Sequence, residues 1–140
     1  MIPYPTKSYK LSGSNFKEVK RNALIIYKKI TSSTKRRPYV RSAYFRSKGK
    51  KQKIFFDYFW VHLSQKSFKE RAKRLKYFKA AIEVIRKSRD HPASEDNPHK
   101  RGELLHRFAG LTKDGELFYV QIKEDKRSGK KYFMSCFPEK

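Results

Sequence analysis

The tightest constraint on this chain lies in its C-terminal third. Segments 104–110, 117–123 and 131–137 are strand-like and are joined through Asp114-Gly115 and Ser128-Gly129. Those dipeptides favour tight turns, and tight turns join antiparallel neighbours. A three-stranded meander is therefore expected. Alternation puts Phe118, Val120 and Ile122 on one face and Tyr119, Gln121 and Lys123 on the other. In the last segment it sets Tyr132, Met134 and Cys136 against Phe133, Ser135 and Phe137.

Upstream, apolar residues at helical spacing predict two helices. Asn15 and Glu18 form a capping box ahead of the stripe Phe16, Val19, Ala23, Ile26 and Ile30. Ser67 and Glu70 form a second box, ahead of Phe68, Ala72, Leu75, Phe78, Ile82 and Ile85, which read as one helix. Segments 39–45 and 54–56 read as short strands around a Gly-containing basic turn, a hairpin. Segment 57–63 is dense in aromatics and fits strand or helix. Residues 1–13, with Pro3, Pro5 and Gly13, read as irregular. Residues 89–103, with Pro92, Asn97, Pro98 and Gly102, read as a long loop. There is no internal repeat, and 140 residues suit a single domain. The expected class is α+β: two helices packed on one face of a small, mostly antiparallel sheet that ends in the meander. The other face of that sheet is left partly open.

Composition bears on the partner. The chain has 36 Lys and Arg against 13 Asp and Glu, a formal net charge of +23. Residues 1–56 hold 16 of those cations against Glu18 alone. Aromatics make up 15% of the chain, too many for a disordered basic tail. Balanced surfaces of small domains keep net charge within about 2–8, so the excess points to a polyanion. Nucleic acid is favoured over an anionic membrane, because the cations are not gathered on one amphipathic anchor. The candidate nucleic-acid contacts are Lys35, Arg36, Arg37, Arg41, Lys48, Lys50, Lys51, Lys66, Arg71, Arg74 and Gln121. No apolar run reaches the ~20 residues of a membrane span, and the first residues lack a signal peptide's apolar core. Cys136 stands alone, which excludes an intramolecular disulfide and a Cys-based zinc site. A cytoplasmic setting without a cofactor is expected.

Four histidines, His62, His91, His99 and His106, match no compact metal motif. HExxH, CxxC, Walker, GxSxG and GxGxxG patterns are all missing. Carboxylate pairs for two-metal nuclease chemistry are poorly supplied. Metal-free RNA cleavage needs only a base for the 2′-hydroxyl, an acid for the leaving oxygen and cations for the transition state. The open face offers Lys123, Gln121 and Ser135. His106 and Arg107 leave opposite faces of one strand, so at most one can join them. His62 follows Trp60 in an aromatic segment and precedes Lys66, Arg71 and Arg74, so its charged form is disfavoured and a neutral base results. Each of these residues also has an ordinary structural reading: a solvated lysine, a small surface serine, a satisfied histidine.

Trp60-Val61-His62, the helix opening near Ser67, the hairpin GLTKDGELFYVQIKED and the final YFMSCFP form a recognisable pattern. It resembles the phage-encoded and toxin-type nucleases of the BECR fold, the group that unites barnase, EndoU, colicin D and RelE. The similar region spans about residues 54–138. The resemblance implies helices ahead of a four- or five-stranded antiparallel sheet and metal-independent RNA cleavage on its open face. It implies roles for His62, for an Arg or Lys of the meander and for Ser135. The better-known members carry His or Tyr at the Ser135 position, which leaves the general acid unassigned. The expected function is then a toxin-type ribonuclease held in check by an acidic antitoxin. A nucleic-acid-binding module without catalysis is the alternative, with a ribosome-associated or phage structural protein third.

Overall fold

A computed structural model describes residues 1–139. In chain order its elements are β1 (Tyr4–Pro5), α1 (Phe16–Ser33), β2 (Tyr39–Ser47), β3 (Lys50–Phe55) and α2 (Phe59–Ser64). Then follow α3 (Phe68–Leu75), α4 (Phe78–Lys87), β4 (Ala93–Asp96), β5 (Glu103–Leu111), β6 (Leu117–Asp125) and β7 (Lys131–Pro138).

The strands form one seven-stranded sheet in the order β1-β5-β6-β7-β3-β2, with β4 also paired to β5. The β1–β5 and β3–β7 pairs are parallel and the others antiparallel. This mixed sheet is curled into a half-barrel and accompanied by four helices. The expectation of two helices on a small, mostly antiparallel sheet is therefore overturned. The reason is physical. β1 and β4 are two and four residues long, too short to show a period. Parallel pairing of segments far apart in the chain leaves no trace in local spacing. The segment read as irregular thus contains an edge strand, where Pro5 is tolerated because its missing N–H faces no partner. The segment read as a loop contains β4, whose four residues are all exposed.

The capping boxes form. Asn15 Oδ1 accepts the Glu18 N–H at 3.0 Å, and Ser67 Oγ accepts the Glu70 N–H at 3.2 Å. The second helix does not run through to Ile85. It divides at Lys76–Tyr77, where the Lys76 carbonyl accepts the Leu11 N–H (2.8 Å) and the Tyr77 ring stacks on Phe118 at 5.3 Å. Segment 57–63 resolves as the short helix α2, which sets Phe59 on Phe133 with ring centroids 4.5 Å apart.

The core lies between α4 and one face of the sheet. Phe59, Phe78, Phe118 and Phe133 are fully buried there, each burial stabilising by about 1.5–3 kcal/mol. Gly110 permits the closest approach. A Cβ at that position would sit 2.6 Å from the Phe118 ring and 2.8 Å from Val84 Cγ2.

Strict alternation along β7 fails at Met134. Gln121 faces Ser135 and Ile122 faces Phe133, so Met134 is the extra residue of a β-bulge. Phe133 and Cys136 therefore point into the core, while Tyr132, Ser135 and Phe137 share the open face with Lys123, Gln121 and Tyr119.

Candidate nucleic-acid interface

The open face carries a band of alternating rings and cations. Cross-strand partners share a face, so Arg107 of β5 lies beside Gln121 of β6, which lies beside Ser135 of β7. Arg107 donates to Gln121 Oε1 at 3.3 Å, and its guanidinium carbon stands 5.1 Å from the Phe137 ring and 5.6 Å from Tyr119. Arg74 reaches the same place from α3. Its Nη1 donates to Ser135 Oγ at 3.0 Å, and its guanidinium stands 5.4 Å from Phe137. Two guanidiniums thus converge on one ring. Glu70 partly balances Arg74 through a 2.9 Å ion pair. Arg107 is exposed and has no carboxylate partner among the described residues.

Arg74 can reach this face because β3 pairs with β7 only at Ile54–Lys131 and Phe55–Tyr132. Beyond that point the chain turns into α2, and α2 and α3 pack along the remainder of β7. Further along the band, Arg37 stacks on Phe55 at 4.0 Å and pairs with Asp57 through Nε and Nη2. Lys53 and Arg41 lie over Tyr39 at 4.7 and 5.5 Å.

His62, in α2, is half-buried. Burial first, then the nearby Lys66 and Arg74 cations, hold its imidazole below the ordinary histidine range. The ring is consequently neutral near pH 7.

Two expected members of the set are engaged elsewhere. His106 is buried on the core side of β5, between Ser94 Oγ (2.7 Å from Nδ1) and Glu124 Oε1 (2.8 Å from Nε2). It is a satisfied structural histidine, and Arg107 is the one of the pair that reaches the open face. Lys123 does project onto that face, but it is 8% exposed. It is ion-paired to Glu103 at 3.2 Å and covered by Tyr58, whose ring centroid is 3.8 Å from Nζ.

Among the candidate contacts, Lys35 and Arg36 are exposed just after α1, and Lys48, Lys50 and Lys51 are exposed in and beside the β2–β3 turn. Arg71 instead donates to the Lys66 and Ser64 carbonyls, closing the end of α2. The sequence reading missed the ring stack at Arg37 and the roles of Tyr58 and Tyr132. Both tyrosines follow from the bulge and from the path of α2, neither of which local spacing records.

Among the described residues, no group of three or more His, Cys, Asp and Glu could hold a metal ion, and no helix is long and apolar enough to cross a membrane. No protein-family model, curated protein or solved structure matches this chain, so the BECR resemblance rests on its sequence motifs alone.

Proposed function

We propose that this protein is a cytoplasmic RNA-binding protein that takes the phosphate backbone across the open face of its sheet. The observation that carries this reading is the convergence of Arg107 and Arg74 on the Phe137 ring. Paired guanidiniums suit phosphate oxygens, and the adjoining rings of Tyr119 and Phe137 suit bases. The test is binding to a labelled single-stranded RNA across a salt series. Arg107→Gln should weaken binding and flatten the log–log salt slope by about 0.7, the share of one neutralised phosphate on a single strand. Unchanged affinity and slope in a folded variant would remove the face from the interface.

A second reading, metal-independent cleavage at the same place, is favoured by His62. A neutral imidazole near the Arg74 guanidinium matches a base next to a phosphate cation. An acidic inhibitor, the partner that the toxin resemblance implies, would cover this face. Cleavage should persist in excess EDTA and leave 2′,3′-cyclic phosphate ends, and His62→Gln should lower its rate about 10²–10⁴-fold while RNA binding survives. Because the imidazole is held below its usual range, activity should decline only on the acid side of that range. Chelator-sensitive activity, or full activity in His62→Gln, would defeat this second reading and leave the first standing.

A further inference from the structure

Beside Lys123, the turns 97–102 and 125–130 and the ring of Tyr58 enclose an open cavity of about 530 Å³. That volume falls within the roughly 300–1,000 Å³ of small-molecule sites. One wall is aromatic: Tyr58, 40% exposed, meets Tyr132 edge-on at 4.8 Å. The floor is the Lys123–Glu103 pair, whose charges balance each other. The rim is cationic. Lys100 lies 3.4 Å from Glu103 and Lys126 pairs with exposed Asp96, but Arg101 and Arg127 have no carboxylate partner among the described residues. The rim is also held in shape. The Lys126 N–H donates to the Gly102 carbonyl at 3.0 Å, which ties the two turns together. The Asp125 carboxylate is occupied by the Arg127 N–H and the Ser128 hydroxyl.

A ligand for this cavity needs a flat face for Tyr58 and negative charge for two free guanidiniums. An acidic peptide offers the charge without the flat face. A duplex offers the charge but keeps its bases stacked inside. One nucleotide of a single strand offers both. Gln121 and Lys123 are successive residues on the open face of β6, so a strand leaving the cavity continues onto the Arg107–Arg74 site.

We propose that this cavity takes one unstacked nucleotide of single-stranded RNA, its base on Tyr58 and its phosphate between Arg101 and Arg127. The proposal rests on the RNA reading above and adds to it a preference for unpaired strand.

The test measures fluorescence anisotropy with a short labelled RNA strand and with the same sequence as a duplex. Displacement by a free nucleoside monophosphate is measured alongside, and melting curves confirm that each variant folds. Tyr58→Ala should weaken single-strand binding about tenfold or more, since stacking on one ring contributes ~1–3 kcal/mol, and leave duplex binding nearly unchanged. Tyr58→Phe, which keeps the ring, should bind like wild type. Should Tyr58→Ala fail to fold, the double variant Arg101→Gln, Arg127→Gln on the exposed turns decides alone, and it should weaken single-strand binding. Single-strand affinity unchanged in either variant, or lost equally with duplex affinity in Tyr58→Ala, overturns the cavity while leaving the open-face reading intact. A monophosphate that binds as tightly as the strand makes this a mononucleotide site and overturns the strand assignment. Wild-type protein that binds neither RNA at low salt removes the RNA reading and this proposal together.

Discussion

Lys123 and Arg107 leave neighbouring strands on the same face, yet only Arg107 is free to meet a ligand. The difference comes from residues distant in sequence: Glu103 supplies the counter-charge and Tyr58 the cover. Alternation gives the direction of Lys123 correctly but cannot foresee its burial, so the solvated lysine it allows is not what the fold contains. Lys123→Ala should instead destabilise the fold by about 1–3 kcal/mol, the penalty of leaving a buried carboxylate short of its main partner. Glu103 keeps Asn97 and Lys100, which limits the loss. A denaturant titration checks this, and a midpoint equal to wild type would show that the pair contributes nothing. Ser135 is likewise buried on the open face, 5% exposed, where its hydroxyl accepts from Arg74. Its face was read correctly but its neighbour Phe133 was not, because one bulged residue at Met134 resets the alternation between them.

Elements governed by local chemistry were legible. The Asn15 and Ser67 caps, the β5–β6–β7 meander and the β2–β3 hairpin all follow from side chains within a few residues of one another. Elements governed by distant partners were not: β1 and β4 exist only because β5 offers them an edge, and α3 separates from α4 where Leu11 takes the Lys76 carbonyl. The hairpin turn allows a test at this scale. Lys48 (φ 52°) and Gly49 (φ 77°) both adopt left-handed backbone, the pattern of a type I′ turn, in which a lysine side chain is strained and Asn-Gly is favoured. Lys48→Asn should therefore stabilise the protein by about 0.5–1 kcal/mol, read as a higher denaturant midpoint with an unchanged slope. No gain would mean that the turn is not held in this conformation. RNA affinity should fall slightly in the same variant, since one exposed cation is lost.

At the scale of the whole molecule, 13 acids cannot pair 36 cations, and the folded chain works against its own charge. The sheet spreads part of that charge over rings, with Arg107, Arg74, Arg37 and Lys123 each within cation–π range of an open-face aromatic. The remainder is exposed in the β2–β3 hairpin, after α1 and around the cavity rim. Self-repulsion of this kind destabilises the compact state and is screened over about 10 Å at 0.1 M salt. Salt should therefore act in opposite directions on stability and binding. The thermal midpoint should rise from low to moderate potassium chloride, because screening relieves the repulsion. Over the same range RNA affinity should fall log-linearly, by about 0.7 for each phosphate neutralised on a single strand. Saturating RNA at low salt should raise the midpoint as salt does, since phosphates supply the missing counter-charge. A midpoint that stays flat or drops with salt would show that the cations are compensated within the fold, and the electrostatic argument for a polyanionic partner would lose its basis.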